Sequence, residues 1–241
     1  MFLNGSPLFT GAAGSGESEI RRYLLQHDLV DAIVAMPNDF FFNTGIATYI
    51  WVLDNTKEPC RRGKVQLINA NGTYSKMRKN LGDKRNEFTD DQIARIVDLY
   101  EAFEDADPKL SKVFGNDDFG YVTVDIRQPK YDENGCPVRT ARGKLVPDKD
   151  RNDTENIPLT EDVDEYMARE VLPYAPDAWI ESRKQKKGQM LELRDGGTVG
   201  YEIPFTRYFY EYTPLRPSTE ILAEIRELEA GIAEKLQRAG L

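Results

Sequence analysis

The stretch from Phe40 to Asn55, FFFNTGIATYIWVLDN, constrains the fold more than any other, because it runs from adjacent phenylalanines straight into a strand-forming segment. From Ala47 to Leu53 the residues are β-branched or aromatic types that fit a pleated strand buried on both faces. Upstream, Asp31 to Met36 is a second apolar run, stopped by the turn signal Pro37-Asn38-Asp39. Two strands therefore flank a short loop. That loop carries Phe40, Phe41 and Phe42, then Asn43, Thr44 and Gly45: large flat groups beside small hydrogen-bonding ones, a mixture suited to a planar ligand. Consecutive aromatics cannot all face inward. At least one points away from the core, free to stack on an unpaired base for about 1 to 3 kcal/mol, unless all three plug the edge of the sheet. Asn43 and Thr44 either hold such a ligand or shape the turn.

The surrounding pattern alternates helix and strand. Glu17 to Gln26 places Ile20, Tyr23, Leu24 and Leu25 on one side at helical spacing, with Arg21 and Arg22 opposite, and Ser15 or Ser18 caps its start. Val65 to Ala70 is a further strand, and Thr89 to Phe103 a helix with Ile93, Ile96, Val97, Tyr100 and Phe103 on one face. The fold class is thus α/β, with short connections between layers. Between Glu104 and Pro217 the chain turns irregular; Gly120 to Ile126 reads as a strand and Glu161 to Leu172 as a helix stopped by Pro173, while the topology stays open. Ser218 to Gln237 is an amphipathic helix whose stripe is Ile221, Ile225, Leu228, Ile232 and Leu236, packing either on its own domain or on a partner helix.

Composition narrows the function classes. With 241 residues, 40% of them apolar, the chain can bury a core, and its formal charge of −9 argues against gripping nucleic-acid phosphates through its surface as a whole. Cys60 and Cys136 are far apart, and the single His27 cannot complete a metal site, so reduced thiols and no metal are expected. The apolar runs are too short to span a bilayer and no signal-peptide pattern opens the sequence, which makes a cytoplasmic protein the expectation. Gly11 to Ser18 imitates a phosphate-binding loop, yet Glu17 stands where that loop needs lysine and would repel a phosphate. Tyr201, Phe205, Tyr208, Phe209, Tyr210 and Tyr212 surround Arg207 as either ridge packing or a partner contact. Arg183, Lys184, Lys186 and Lys187 form a basic run, either a solvated loop or a DNA-backbone contact.

Several segments taken in order carry a resemblance: Asn4-Gly5-Ser6-Pro7-Leu8-Phe9, the glycine-rich Gly11 to Gly16, Glu19-Ile20-Arg21, Met36-Pro37, Phe41, and Asn43 through Trp51. Later come Ser111-Lys112-Val113-Phe114, Asp118-Phe119-Gly120-Tyr121, Asp153 to Leu159, and Gly200 to Arg207. Together they resemble the modification subunit of type I restriction-modification systems, an adenine-N6 DNA methyltransferase. The resemblance implies the C-terminal half of a Rossmann-like methyltransferase sheet over residues 1–75, one of its strands antiparallel to the rest, a helical and irregular α+β extension over 76–217, and a C-terminal helix for subunit packing over 218–241. It implies S-adenosylmethionine as methyl donor, but the family's glycine-rich cofactor turn and its D/N-P-P-Y/F tetrapeptide are absent from this sequence. The chain is therefore expected to be the carboxyl-terminal part of a longer subunit, with no catalytic, cofactor-binding or metal residue of its own and no activity alone. Phe41 matches the aromatic that stacks on the flipped adenine, with Phe42 as substitute, and Asn43, Thr44 and Gly45 form the base-pocket loop. The implied partners are a specificity subunit bound through Ile221, Ile225, Leu228, Ile232 and Leu236, double-stranded DNA within that complex, and, as a further candidate, a nuclease or translocase subunit. The alternative is a non-enzymatic assembly module docking on a DNA-specificity subunit; a nucleotide-binding domain built on the Gly11 to Gly16 loop is a third reading.

Overall fold

The computed structural model describes residues 1–184, 191–212 and 215–239, apart from the side chains of 233, 234, 236, 237 and 239. They fall into two compact units, Met1–Phe209 and Tyr210–Leu241.

The first unit opens with strand β1 (Phe2–Asn4), the single turn α1 (Ser6–Phe9), helix α2 (Gly16–Gln26), and strands β2 (Val30–Ala35), β3 (Thr48–Leu53) and β4 (Lys64–Asn69). A hairpin β5 (Ser75–Leu81) and β6 (Lys84–Glu87), helix α3 (Asp90–Ala102) and strand β7 (Ser111–Gly115) follow. Five of these strands form a mixed sheet in the order β1-β3-β2-β4-β7, so it draws one edge strand from well beyond residue 75. β2 runs parallel to β4, while β3 and β7 run antiparallel to their neighbours. The mixed α/β class expected from the alternating pattern is what the chain adopts. β2 is buried at every residue, the expected state of a strand covered on both faces. One face of the sheet meets α2 and the second half of the unit; on the other, Val34 and Ile68 pack against Ile96, Leu99 and Tyr100 of α3. Thr89 and Gln92 close a reciprocal capping box that starts α3.

That second face contains a buried polar network. The guanidinium of Arg61 donates to Asp31 at 2.9 Å and to the Gln66 side chain at 2.8 Å, and the Tyr100 hydroxyl donates to the other Asp31 oxygen at 2.5 Å. Arg61 also lies 4.3 Å from the Tyr100 ring centroid, so charge pairing and ring contact both tie α3 to β2 and β4.

Helix α2 departs from the periodicity reading. Its inward residues are Ser18, Arg21 and Leu25, while Ile20 and Tyr23 are 63% and 55% exposed. The reason is hydrogen-bond demand. Arg21, 2% exposed, donates to the carbonyls of Tyr201 at 2.5 Å, Pro7 at 2.9 Å and Gly11 at 3.3 Å. The Ser18 hydroxyl accepts the Tyr201 amide at 3.1 Å. These contacts join segments more than 180 residues apart at Tyr201, and a hydropathy pattern holds no trace of them. Of the two candidate caps, Ser15 is the one used, accepting from the Ser18 amide.

The unit continues with strands β8 (Gly120–Arg127) and β9 (Asp153–Pro158), the short helix α4 (Val163–Tyr166) extended by a π-helical turn, strands β10 (Trp179–Glu181), β11 (Leu193–Arg194) and β12 (Gly197–Tyr201), and the turn α5 (Phe205–Tyr208). β8 is the spine of a wholly antiparallel second sheet: β9 lines one edge, and β12 and β10 share the other. Its residues alternate in burial, which sends Val122, Val124 and Ile126 into the core shared with the first sheet. Gly197 has no alternative residue, since a Cβ there would lie 2.5 Å from the Thr123 carbonyl oxygen. The aromatic cluster after β12 divides: Tyr201 and Phe205 are buried and Tyr208 stacks 4.2 Å from Phe114, whereas Tyr210 and Tyr212 stand 72% and 74% exposed.

In the second unit, helix α6 (Ser218–Ala239) presents Ile221, Ile225, Leu228 and Ile232 as exposed residues; the Leu236 side chain lies outside the described residues. Among the described residues, no helix is long and apolar enough to cross a membrane, and no cluster of His, Cys, Asp or Glu could hold a metal ion.

Candidate functional site

The loop between β2 and β3 starts where Pro37 ends the strand, and the Met36 amide donating to the Thr48 carbonyl at 2.9 Å brings its two ends together. Asp39 takes a left-handed backbone, φ 54°. Gly45 lies close beside it: a Cβ at that position would lie 2.7 Å from the Asp39 carboxylate, which would have to turn aside. Phe41 and Thr44 form an antiparallel bridge across the tip, and the Thr44 hydroxyl accepts the Ile46 amide at 3.3 Å. Thr44 thus shapes the turn, and Asn43 points to solvent.

The β5–β6 hairpin holds this loop by main-chain bonds. The amides of Asp83 and Arg85 donate to the carbonyls of Phe42 at 3.0 Å and Asp39 at 2.9 Å, and the Asn86 side chain donates to the Asn38 carbonyl at 2.8 Å. Between loop, hairpin, sheet edge and α3 lies an open cavity of about 600 Å³, walled by Phe2, Val34, Phe40, Phe41, Phe88 and Ile96 among others. Its size and apolar lining with a few charged groups suit a small organic ligand. Phe40 packs 4.7 Å from Phe88, and Phe41 stands edge-on to Phe40 at 5.6 Å and to Phe2 at 6.1 Å. Phe41 is therefore half-buried in the cavity wall, while Phe42 is 57% exposed. The Lys84 ammonium sits 5.2 Å from the Phe40 ring and 5.8 Å from the Phe42 ring, a cation at the edge of the aromatic surface.

The other sites weighed from sequence do not converge on this cavity. In the Gly11 to Gly16 loop a Cβ on Gly11 would meet the Ser15 hydroxyl, and one on Gly14 would lie 2.9 Å from the Leu191 side chain. Arg183 is engaged, its guanidinium bonding both oxygens of Asp125 at 2.7 Å, which holds that carboxyl below the usual carboxylate range. Lys184 is exposed, and Lys186 and Lys187 lie outside the described residues. On the opposite face of the sheet a smaller cavity of about 340 Å³ is lined by Met1, Leu3, Ile20, Leu24 and Trp51, beside the unpaired edge of β1. The Trp51 indole N–H is buried without a partner among the described residues.

One feature of the site was missed by sequence reading: the charge of the hairpin. Lys76, Arg78, Lys79, Lys84 and Arg85 occur within Ser75–Glu87 against only Asp83 and Glu87. The signal was available, as a local excess of cations in an acidic chain.

The chain matches the model of the N-6 DNA methylase family over residues 3–132, more than half its length. It is similar to the "Type I restriction enzyme MjaIX methylase subunit" of Methanocaldococcus jannaschii, with 34% identity over 52% of this chain and 24% of that protein. The HindI methylase subunit of Haemophilus influenzae shows 37% identity over 44% of this chain and 22% of its own length. A solved type I restriction-modification methyltransferase subunit from Streptococcus thermophilus aligns at TM-score 0.41 and 24% identity, covering 49% of this chain and 23% of that one, a likeness too distant to argue from. The matched part thus spans about a quarter of the length of these curated relatives. On the strength of the family match, the chain belongs to the N-6 DNA methylase family.

Proposed function

We propose that this chain forms part of a type I modification methyltransferase acting on adenine N6 in DNA, and that its Phe40–Gly45 loop and the adjoining cavity receive the extruded base. The observation that carries the reading is Phe41 in the wall of an open apolar cavity of about 600 Å³, on a loop fixed from both sides. An enzyme that modifies a base's exocyclic nitrogen must take that base out of the stack and give it a new stacking surface. Phe41 supplies that surface, Phe40 and Phe2 stand edge-on to its ring, and the wall around it is largely apolar. Asn43, Thr44 and Gly45 set the turn that presents it. In this proposal β1, β3 and β2 are the closing strands of the methyltransferase sheet, and residues 1–75, 76–217 and 218–241 are successive functional segments.

S-adenosylmethionine enters as the family's methyl donor. The family's glycine-rich cofactor turn is absent from this sequence, and in the Gly11 to Gly16 loop the Gly11 carbonyl accepts a hydrogen bond from Arg21. The proposed partners are a specificity subunit on the Ile221, Ile225, Leu228, Ile232 stripe, duplex DNA, and a nuclease or translocase subunit.

The test is Phe41→Ala in the complex reconstituted with its specificity subunit. Loss of a base stack worth about 1 to 3 kcal/mol slows methylation roughly 5- to 150-fold, while complex assembly persists on gel filtration. Unchanged methylation would leave the chain a non-enzymatic assembly module.

A further inference from the structure

We propose that the β5–β6 hairpin is a phosphate-binding ribbon that grips the DNA backbone beside the extruded nucleotide; this rests on the base-stacking reading for its location but not for its chemistry. Five cations against two carboxylates give Ser75–Glu87 a net charge of +3 in a chain whose total is −9. Lys76, Arg78, Lys79 and Arg85 are exposed, and none of them pairs with a described carboxylate. Elsewhere the cations near acids are engaged: Arg22 with Glu19, Lys57 with Asp28, Arg127 with Glu181, Arg183 with Asp125. Arg139, Arg142, Lys144, Lys149 and Arg151 are likewise exposed and pair with no described carboxylate, so it is the concentration of such cations on a ribbon bonded to the aromatic loop that marks this one as a footprint for a polyanion.

The position defines which polyanion. The ribbon is bonded by its own backbone to Asp39 and Phe42, so its cations are carried at a fixed offset from the aromatic cavity. Lys84 already lies between the two features, within 6 Å of both the Phe40 and Phe42 rings. A nucleotide whose base enters the cavity keeps its sugar and flanking phosphates outside, at the mouth. Cations fixed there neutralise those phosphates and hold the strand in its opened form, the positioning role that backbone contacts serve in nucleic-acid recognition.

The experiment is equilibrium binding of the full chain to a fluorescent duplex with one unpaired adenine, by anisotropy from about 50 to 200 mM salt. Three proteins are compared: the unsubstituted chain, the triple substitution Lys76→Gln, Arg78→Gln, Lys79→Gln, and Phe41→Ala. Each neutralised phosphate contributes about 0.9 to the slope of log affinity against log salt, so the triple substitution should flatten that slope by up to about 2.7. Phe41→Ala should leave the slope alone and remove the preference for the unpaired adenine over a fully paired control. If the slope is the same with and without the triple substitution, or the unsubstituted chain does not bind, the ribbon proposal falls. If the slope flattens but Phe41→Ala changes nothing, the ribbon stands and the base-stacking reading fails. Acetylation footprinting on the unsubstituted chain is a check free of any folding defect: duplex should protect Lys76 and Lys79 and leave Lys130 reactive, and equal reactivity would overturn the assignment.

Discussion

Replacing Arg21 by methionine keeps most of the side-chain volume and removes the charge and the donors. In the structure the guanidinium is 2% exposed and satisfies three main-chain carbonyls, one from α1, one from the glycine-rich loop and one from β12. Hydrogen bonds from a charged donor contribute about 1.5 to 3 kcal/mol each. Burial lowers the Arg21 pKa, and the several kcal/mol regained by no longer burying that charge offset part of the loss. The net expectation is about 3 kcal/mol of lost stability. For a chain of this length that lowers Tm by roughly 6 to 12 °C, read by near-ultraviolet circular dichroism, with urea unfolding at fixed temperature as a second measure. Arg21→Lys, which keeps the charge but not the forked geometry, should recover only part of the loss. A decrease under about 1 kcal/mol for Arg21→Met would refute the reasoning: water would then satisfy the three carbonyls, and α2 would be held by Leu25 and Ser18 alone.

Two pH dependences follow from paired groups. Arg183 keeps the Asp125 carboxyl below its ordinary value, so the pair stabilises the fold above the unfolded carboxylate pKa and is lost as pH falls through the depressed one. For this partly exposed pair Arg183→Met should cost about 1 kcal/mol at neutral pH and give a flatter fall in stability below about pH 4; an unchanged acid limb in urea titrations would show that the pair contributes nothing. The Tyr100 phenol is pushed up to about 12 by burial and by its bond to Asp31, so its contribution is intact below the unfolded tyrosine pKa and disappears as pH rises towards 12. Tyr100→Phe should abolish that alkaline loss and remove one late-titrating tyrosine from an ultraviolet titration, and a curve identical to the parent's would contradict the buried Asp31 contact.

Hydrophobic period identified β2, β3 and β4, because each buries apolar residues of its own against another layer; it also located α3, but that helix leans on the sheet through Ile96, Leu99 and Tyr100 and leaves Ile93 and Val97 of the expected face 48% and 46% exposed on the open cavity. The turn at Pro37 and the cap at Thr89 were legible for the same reason: their chemistry is local. α2 misled because its inward face answers to carbonyls of Pro7, Gly11 and Tyr201, a requirement set by tertiary partners. β9 was unreadable because, of Asp153–Pro158, only Ile157 is fully buried; the strand exists through its ladder with β8. At the site, the aromatic loop was visible as Phe40, Phe41 and Phe42, but its neighbour across the cavity was not. Which hairpin crosses over a loop depends on the path of the chain, and the polar sequence from Ser75 to Glu87 carries no hydrophobic face by which to infer it.

The clamp between loop and hairpin is made almost entirely of main-chain atoms, with Asn86 as its one side-chain member. Such a joint is indifferent to most substitutions. Residues at Asn43, Asp83 or Arg85 can change without loosening it, since the amide and carbonyl remain whatever side chain they bear. The aromatic loop and the cations of the hairpin therefore hold their spacing while their chemistry drifts, and the strength of one can be retuned without moving the other.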